Sequence, residues 1–130
     1  MRIQLAYRFI GENEEELTEM LKKICSIIGK SGNEVYCPAL DSKKPKEKKY
    51  LFLNTLDKIN ESDALLAIIR TEDKSEGMLM EIGHALAEKK IFILAIQKDL
   101  RNTHMREFAD KVIEFEDTND LYDNLGKLKF

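Results

Sequence analysis

Two unbroken apolar runs, Ala64–Ile69 and Ile91–Ile96, constrain the fold of this chain more than any other feature. Neither run alternates apolar with polar residues, and such continuity is typical of parallel strands covered on both faces. The stretch between them, Gly77–Lys89, has the pattern of a helix. Two parallel strands joined through a helix require a right-handed crossover, so the sequence predicts a β-α-β unit at the centre of the molecule.

The rest of the chain continues the same alternation on both sides of this unit. The pattern predicts three further strands and four further helices: strands Ile3–Tyr7, Glu34–Cys37 and Val112–Phe115, and helices Asn13–Gly29, Phe52–Asn60, Leu100–Asp110 and Asp120–Leu128. Alternating strands and helices predict an α/β fold with helices on both faces of a parallel sheet. We therefore expect a flavodoxin-like (Rossmann-like) three-layer sandwich with strand order 2-1-3-4-5, in one domain spanning residues 1–130.

Two helices have faces that can be assigned from the spacing of apolar residues. The first should bury Leu17, Met20, Leu21, Ile24, Cys25 and Ile28, with Asn13 as its cap and Gly29 and Gly32 at its end. The second should bury Phe52, Leu53, Leu56 and Ile59. Between strand 2 and this helix, Asp41–Lys49 carries five lysines and is the one candidate flexible segment: either a solvated loop or a mobile lid that attracts phosphate.

Charge and composition exclude several classes of function. The net charge of -3 does not favour nucleic-acid binding, which usually needs a basic face. No segment approaches the about 20 apolar residues that span a bilayer, and the start of the chain does not match a signal peptide. Cys25 and Cys37 lack the spacing of a metal site, so two reduced, partly buried thiols and a cytoplasmic location are expected.

The segment after the first apolar run is the strongest candidate for a functional site. In this fold, ligands bind beyond the carboxyl ends of the strands, where strands 1 and 3 separate. There Ser75 offers a hydroxyl, Gly77 allows a tight turn and close approach, and the start of a helix favours an anion. Glu81 follows Gly77 by one helical turn, roughly 5–6 Å along the axis.

This spacing suits a sugar phosphate. The phosphate would lie on Ser75 and Gly77, and the Glu81 carboxylate would face the anomeric carbon, where it can act as a nucleophile or stabilise an oxocarbenium-like transition state. The structural alternative is a plain helix cap at Ser75, with Glu81 solvated on the outer face. His84, three residues after Glu81, has no second histidine at a matching spacing, so no metal site is predicted.

The stretch Ser62–Ile69, the motif Ser75-x-Gly-x-x-x-Glu81-x-Gly83-x-Ala85 and the strand Ile91–Ile96 together resemble the nucleoside 2-deoxyribosyltransferase superfamily. The resemblance implies that Glu81 is the nucleophile and that the loop after strand 1 closes over the sugar and base. With serine at position 75, the motif resembles that of the 2'-deoxynucleoside 5'-phosphate N-hydrolases. A hydroxyl can donate a hydrogen bond to a phosphate, whereas an aspartate would repel it. Glu76 is compatible with that phosphate only if its side chain points to solvent.

Two positions depart from the pattern of these relatives. Thr55 stands where the resemblance implies an aspartate that protonates the leaving base, with Asn54 and Asp57 nearby. The loop after strand 1 begins Tyr7-Arg8-Phe9, where relatives are rich in glycine or serine. Tyr7 and Phe9 could stack on a base or pack in the core, and Arg8 could bind phosphate.

Three hypotheses follow for a small-molecule nucleotide or nucleoside ligand, with no cofactor. The first is an N-glycosidase that hydrolyses a (deoxy)nucleoside 5'-monophosphate through Glu81, with Tyr7, Arg8, Ser75 and Gly77 binding the substrate. The second is a nucleoside 2-deoxyribosyltransferase. The third is a nucleotide-binding or sensing module without turnover, which Thr55 favours. The resemblance also implies a homo-oligomer, most simply a dimer.

Overall fold

A five-stranded sheet forms the centre of the computed structural model, which describes residues 1–8, 13–73 and 75–129. The strands are β1 (Arg2–Tyr7), β2 (Glu34–Tyr36), β3 (Ala64–Ile69), β4 (Ile91–Gln97) and β5 (Lys111–Phe115). All neighbouring pairs are parallel, and their order is β2-β1-β3-β4-β5. The predicted fold class and strand order are confirmed.

Helices cover both faces of this sheet. They are α1 (Glu14–Lys30), α2 (Lys48–Asn60), α3 (Glu76–Ala87), the short α4 (Met105–Phe108) and α5 (Thr118–Gly126), with a 3-10 turn at Pro38–Leu40. Buried side chains of α1 and α5 form one core with one face of the sheet, and those of α2 and α3 form a second core on the other face. Among the described residues, none of the helices is long and apolar enough to cross a bilayer.

The first helix matches its predicted face and start. Leu17, Met20, Leu21, Ile24 and Ile28 are buried, whereas Cys25 of the predicted face is only partly buried. The Asn13 side chain accepts a hydrogen bond from the Glu16 backbone N–H at 3.1 Å, as a helix cap does. The predicted end is wrong by one residue, because the helix continues through Gly29 to Lys30, and Gly32 follows with a φ of +88°.

The second helix differs more from its prediction. It begins at Lys48 rather than Phe52, so the end of the lysine-rich segment is helical. Its buried residues are Thr55 and Ile59, whereas Leu53 is 45% exposed. The segment predicted to be flexible is also anchored at its start, where the Tyr36 hydroxyl donates a hydrogen bond of 2.7 Å to Asp41.

The predicted helix Leu100–Asp110 is mostly wrong, because only Met105–Phe108 is helical. The Arg106 guanidinium donates hydrogen bonds to the carbonyls of Leu100 and Gln97 and pairs with Glu114. These carbonyls are therefore satisfied by a side chain rather than by a helical N–H. Helix α3 also ends before its predicted limit, since Lys89 adopts a φ of +57° that a continuing helix cannot use.

Candidate active site

A cavity of about 380 Å³ opens beyond the carboxyl end of β1, between α1, α2 and α3. This is the edge of the sheet where the topology predicts a ligand site. Its wall is mainly apolar, with a small number of polar groups, as in most small-molecule sites. Its lining includes Tyr7, Glu14, Cys37, Lys44, Lys48, Thr55, Ser75, Gly77 and Glu81.

Each of the first two helices presents one continuous stripe to the cavity. The stripe on α1 is Glu14, Leu17, Thr18 and Leu21, and the stripe on α2 is Lys48, Leu51, Phe52 and Thr55. Both have the spacing i, i+3, i+4, i+7, which places side chains on one face of a helix. Helix α3 contributes its amino-terminal end and Glu81, one turn further along.

Glu81 faces the cavity and not the outer solvent, in contrast to the alternative of a solvated surface carboxylate. Burial raises the pKa of its carboxyl group to about 7. No ion pair or hydrogen bond to another described residue offsets this desolvation. A carboxyl group in this state is close to equally protonated and ionised at neutral pH, and such shifts are typical of functional carboxylates.

The start of α3 places Ser75 and Gly77 in the same cavity as Glu81. The Ser75 hydroxyl accepts a hydrogen bond from the Met78 N–H at 3.3 Å, so the predicted helix cap exists as well. The Ser75 hydroxyl hydrogen can still be donated to a ligand. Glu76 and Gly77 occupy the first two helical positions, where an N–H has no intrahelical acceptor.

Of the two predicted roles of Gly77, a tight turn and close approach of a ligand, the structure contradicts the first. Gly77 lies inside α3, and the only described glycine with a positive φ is Gly32, so no tight turn depends on Gly77. A Cβ atom at this position would lie 3.8 Å from the Ser75 hydroxyl, in ordinary contact. The missing side chain instead leaves room beside the Ser75 hydroxyl. Glu76 is exposed and lies outside the cavity lining, which removes the objection to an anion there.

The residues after β1 separate into two environments. Tyr7 is 7% exposed, belongs to the core and lines the cavity, so both predicted roles are open to it. Arg8 does not line this cavity: its guanidinium donates to the Thr71 hydroxyl at 3.2 Å and pairs with Asp73 at 3.6 Å. Binding of phosphate by Arg8 stays a prediction that requires the side chain to leave Asp73. Phe9 lies outside the described residues.

Thr55 lies at the cavity, where the resemblance implies an acid. Its hydroxyl donates to the Leu51 carbonyl at 3.0 Å, and its own carbonyl accepts a hydrogen bond from the buried Gln4 side chain at 3.1 Å. A threonine hydroxyl bound in this way does not supply a proton at neutral pH. Asp57 is exposed on another face of α2 and does not line the cavity, so it does not replace the missing acid.

Sequence reasoning missed three charged residues of the cavity, Glu14, Lys44 and Lys48. Glu14 was not considered as a site residue, and the two lysines were assigned to a segment that was either a solvated loop or a mobile lid. The signal that could have found Lys48 is its spacing of three, four and seven residues from Leu51, Phe52 and Thr55.

The remaining candidates lie away from this cavity. The His84 ring nitrogen forms a hydrogen bond of 2.7 Å with the Asn60 side chain, and Asp63 accepts one from the Arg2 N–H. Of the two methionines that flank Leu79, Met80 is 58% exposed, whereas Met78 is buried at the cavity. In the described part of the chain, no group of three or more His, Cys, Asp or Glu residues is arranged to hold a metal ion.

Comparison with known proteins shows which family the chain resembles. The profile of the nucleoside 2-deoxyribosyltransferase family matches residues 6–124. The CMP N-glycosidase BcmB of Clostridium botulinum superposes with a TM-score of 0.75 at 18% identity, over 96% of this chain and 97% of that protein. A 2-deoxyribosyltransferase of Bacillus psychrosaccharolyticus gives 0.70 at 24% identity, over 100% and 93%. No curated protein sequence matches at a significant level.

The family match covers most of the chain, so this protein belongs to the nucleoside 2-deoxyribosyltransferase family. A 2-deoxyribosyltransferase of Leishmania mexicana has the same fold, with a TM-score of 0.65 at 14% identity over 84% of this chain and 72% of that protein. The family match supports a nucleoside N-glycosidase or deoxyribosyltransferase function.

Proposed function

We propose that this protein hydrolyses the base–sugar bond of a (deoxy)nucleoside 5'-monophosphate and that Glu81 is the nucleophile. The observation that supports the proposal is that a desolvated carboxyl group and an amino-terminal helix end with Ser75 and Gly77 line one cavity. The helix end favours the dianionic phosphate, and the carboxylate lies one helical turn away. A sugar 5-phosphate can extend between two such groups.

The reaction would proceed in two displacements at the anomeric carbon. An ionised Glu81 oxygen forms a bond to that carbon while the carbon–nitrogen bond breaks, and the electron pair of that bond leaves with the base. The base takes up one proton. Water then attacks the same carbon, the ester bond to Glu81 breaks, and the water loses a proton, which leaves the carboxylate and the sugar 5-phosphate.

At position 55, this site has no acid that could protonate the leaving base. Thr55 occupies the position of the implied acid, and its hydroxyl is bound to the Leu51 carbonyl. General acid catalysis commonly contributes about 10²–10⁴-fold, so a slow enzyme is expected unless the base departs without this help. Purines and cytosine can accept a proton on a ring nitrogen from solvent before the bond breaks, which favours such bases as substrates.

The test is a panel of nucleoside 5'-monophosphates and the matching nucleosides, with release of free base followed by chromatography. We expect release from at least one monophosphate, loss of release in Glu81→Gln, and unchanged release in Glu88→Gln. Glu88 is the matched control, because it is an exposed carboxylate at the end of the same helix. Equal release by Glu81→Gln and the unaltered chain would contradict the role of Glu81.

A second function is favoured by Thr55 alone. Without an acid at this position, the cavity could bind a nucleotide without turning it over, as a sensing module does. This alternative predicts binding by calorimetry with no free base after hours of incubation.

Transfer to a second base is tested in the same samples by adding a free base and looking for exchange. The implied homo-oligomer is tested separately by light scattering of the purified chain.

A further inference from the structure

Two cysteines that are far apart in the sequence lie together beside the cavity. Cys25 is on α1, and Cys37 follows β2 directly and precedes the 3-10 turn. Both side chains belong to the core beneath α1, and α1 packs against β2 and that turn. The two thiols are close enough for each to shift the pKa of the other. Both cysteines are free thiols.

The surroundings make the two thiols chemically unequal. The Cys37 sulfur interacts with the Cys25 thiol and with the backbone N–H groups of Ala39 and Leu40, and Lys44 adds a positive charge. These interactions lower the pKa of Cys37 although burial opposes them. The same contact and burial raise the pKa of Cys25. The thiolate is the reactive form of cysteine, so Cys37 is the nucleophile of the pair.

Only one of the two thiols is reachable from the cavity. Cys37 is 6% exposed, but it lines the cavity beside Pro38, Ala39 and Lys44. Cys25 is not part of the lining. A small oxidant that enters the cavity therefore meets Cys37, whereas the partly buried Cys25 packs against the same core outside the lining. This is the arrangement of a reactive cysteine with a resolving partner.

We propose that Cys37 is a site of reversible oxidation, at which hydrogen peroxide converts the Cys25–Cys37 pair to a disulfide. In the first step, the Cys37 thiolate attacks one peroxide oxygen, the O–O bond breaks, and hydroxide leaves to form water with a proton. In the second step, the Cys25 sulfur attacks the sulfenic sulfur and the S–O bond breaks. The hydroxide that leaves takes the Cys25 proton. Two thiols lose two electrons, and one peroxide becomes two waters.

The disulfide would change the wall of the cavity. An S–S bond of about 2.05 Å is much shorter than a contact between two thiols, so Cys37 has to move toward α1. The residues on either side of this bond belong to the cavity, with Thr18 and Leu21 on α1 and Pro38 and Ala39 after β2. Loss of base release on oxidation is expected from this movement, and that consequence alone rests on the proposed function.

The experiment treats the folded chain with hydrogen peroxide, quenches it, alkylates the remaining thiols and maps the products by mass spectrometry. We expect an intact mass lower by two hydrogen atoms, a Cys25–Cys37 linked peptide, and recovery of both thiols with dithiothreitol. In Cys25→Ser, Cys37 should instead stop at a sulfenic acid that dimedone traps. In Cys37→Ser, Cys25 should remain unmodified. Circular dichroism of both variants checks that they are folded.

A second measurement keeps the proposal testable if a variant misfolds. Alkylation of the unaltered chain at pH 7 should modify Cys37 at least about tenfold faster than Cys25. Faster alkylation of Cys25, a disulfide only between two chains, or direct conversion of Cys37 to sulfinic acid with Cys25 present would each overturn the proposal. So would two thiols that react only after denaturation. None of these readouts depends on turnover, so they fail or succeed independently of the proposed glycosidase.

Discussion

Glu81 has two properties that oppose each other in the proposed reaction. A nucleophile must be ionised, but the apolar surroundings that strengthen a carboxylate also favour its protonated form. With a pKa of about 7, roughly half of the molecules carry the reactive form at neutral pH. The rate therefore depends on pH in a range where an ordinary glutamate would be fully ionised.

The first prediction concerns this titration. For a base that leaves without prior protonation, we expect kcat/KM to fall about tenfold for each pH unit below 7 and to level off above it. Prior protonation of the base would oppose this fall. The 5'-phosphate of a substrate itself titrates near 6, so the rate profile alone is ambiguous. A carbon NMR titration of labelled glutamate side chains in the free protein resolves this. The Glu81 resonance, assigned by its absence in Glu81→Gln, should have its midpoint near 7, and a midpoint near 4.5 would contradict the prediction.

At the scale of elements, helix α3 combines structural and functional demands in one turn. Ser75 caps the helix, and Gly77 is its second residue, where alanine would be the better helix former. A methyl group at this position has room in the free protein, since its nearest neighbour would be the Ser75 hydroxyl at 3.8 Å. The glycine is thus unfavourable for the helix, and under the proposed function it leaves room for a ligand to approach the backbone closely.

The second prediction separates these two demands with Gly77→Ala. We expect the free energy of unfolding to rise by about 0.5 kcal/mol, because glycine is the poorer helix former. We expect KM for a monophosphate to rise about tenfold, because the added methyl group holds the phosphate away from the backbone N–H. The loss of one charged hydrogen bond costs about 1.5 kcal/mol. The KM of the matching nucleoside is the control and should not change. Equal effects on both substrates would mean that the phosphate binds elsewhere.

The helices also show where sequence periodicity succeeds and where it fails. The apolar face of α1 was predicted correctly, because most of that face packs against the sheet. The face of α2 was predicted only in part. Ile59 is buried, Leu56 packs against the core and Phe52 lines the cavity, as predicted. Leu53 is exposed instead, and the inner side also includes Lys48 and Thr55 at the cavity. A helix that borders a ligand cavity carries polar residues inward, so the rule that apolar residues point inward misplaces it.

At the scale of the whole molecule, the topology was predictable and the composition of the cavity was not. Two continuous apolar strands and the alternation around them were sufficient for a parallel sheet, and the position of the switch point then follows. The motif from Ser75 to Glu81 falls at that point. Glu14, Cys37 and Lys44 reach the same cavity from three separate segments, and no local pattern determines how such segments converge.

The buried carboxyl group also affects the stability of the whole fold. In the unfolded chain, Glu81 should titrate near 4.5, whereas in the folded protein its pKa is about 7. Between these values the folded state binds more protons than the unfolded state, so stability decreases as the pH rises. Below about 4.5 both states are protonated and the contribution is fully present. Above about 7 both are ionised and it is lost.

The third prediction is that this decrease can be isolated by comparison with Glu81→Gln, in which the side chain cannot ionise. Each unit of pKa shift corresponds to about 1.4 kcal/mol, so the full difference amounts to at most about 3.5 kcal/mol. Denaturant unfolding of both proteins from pH 4.5 to 8 measures it, and contributions from other groups cancel in the difference. The unaltered chain should lose stability relative to Glu81→Gln as the pH rises. A difference that is constant across this range would mean that Glu81 is solvated in the folded protein, and the case for a desolvated nucleophile would then fail without any assay of turnover.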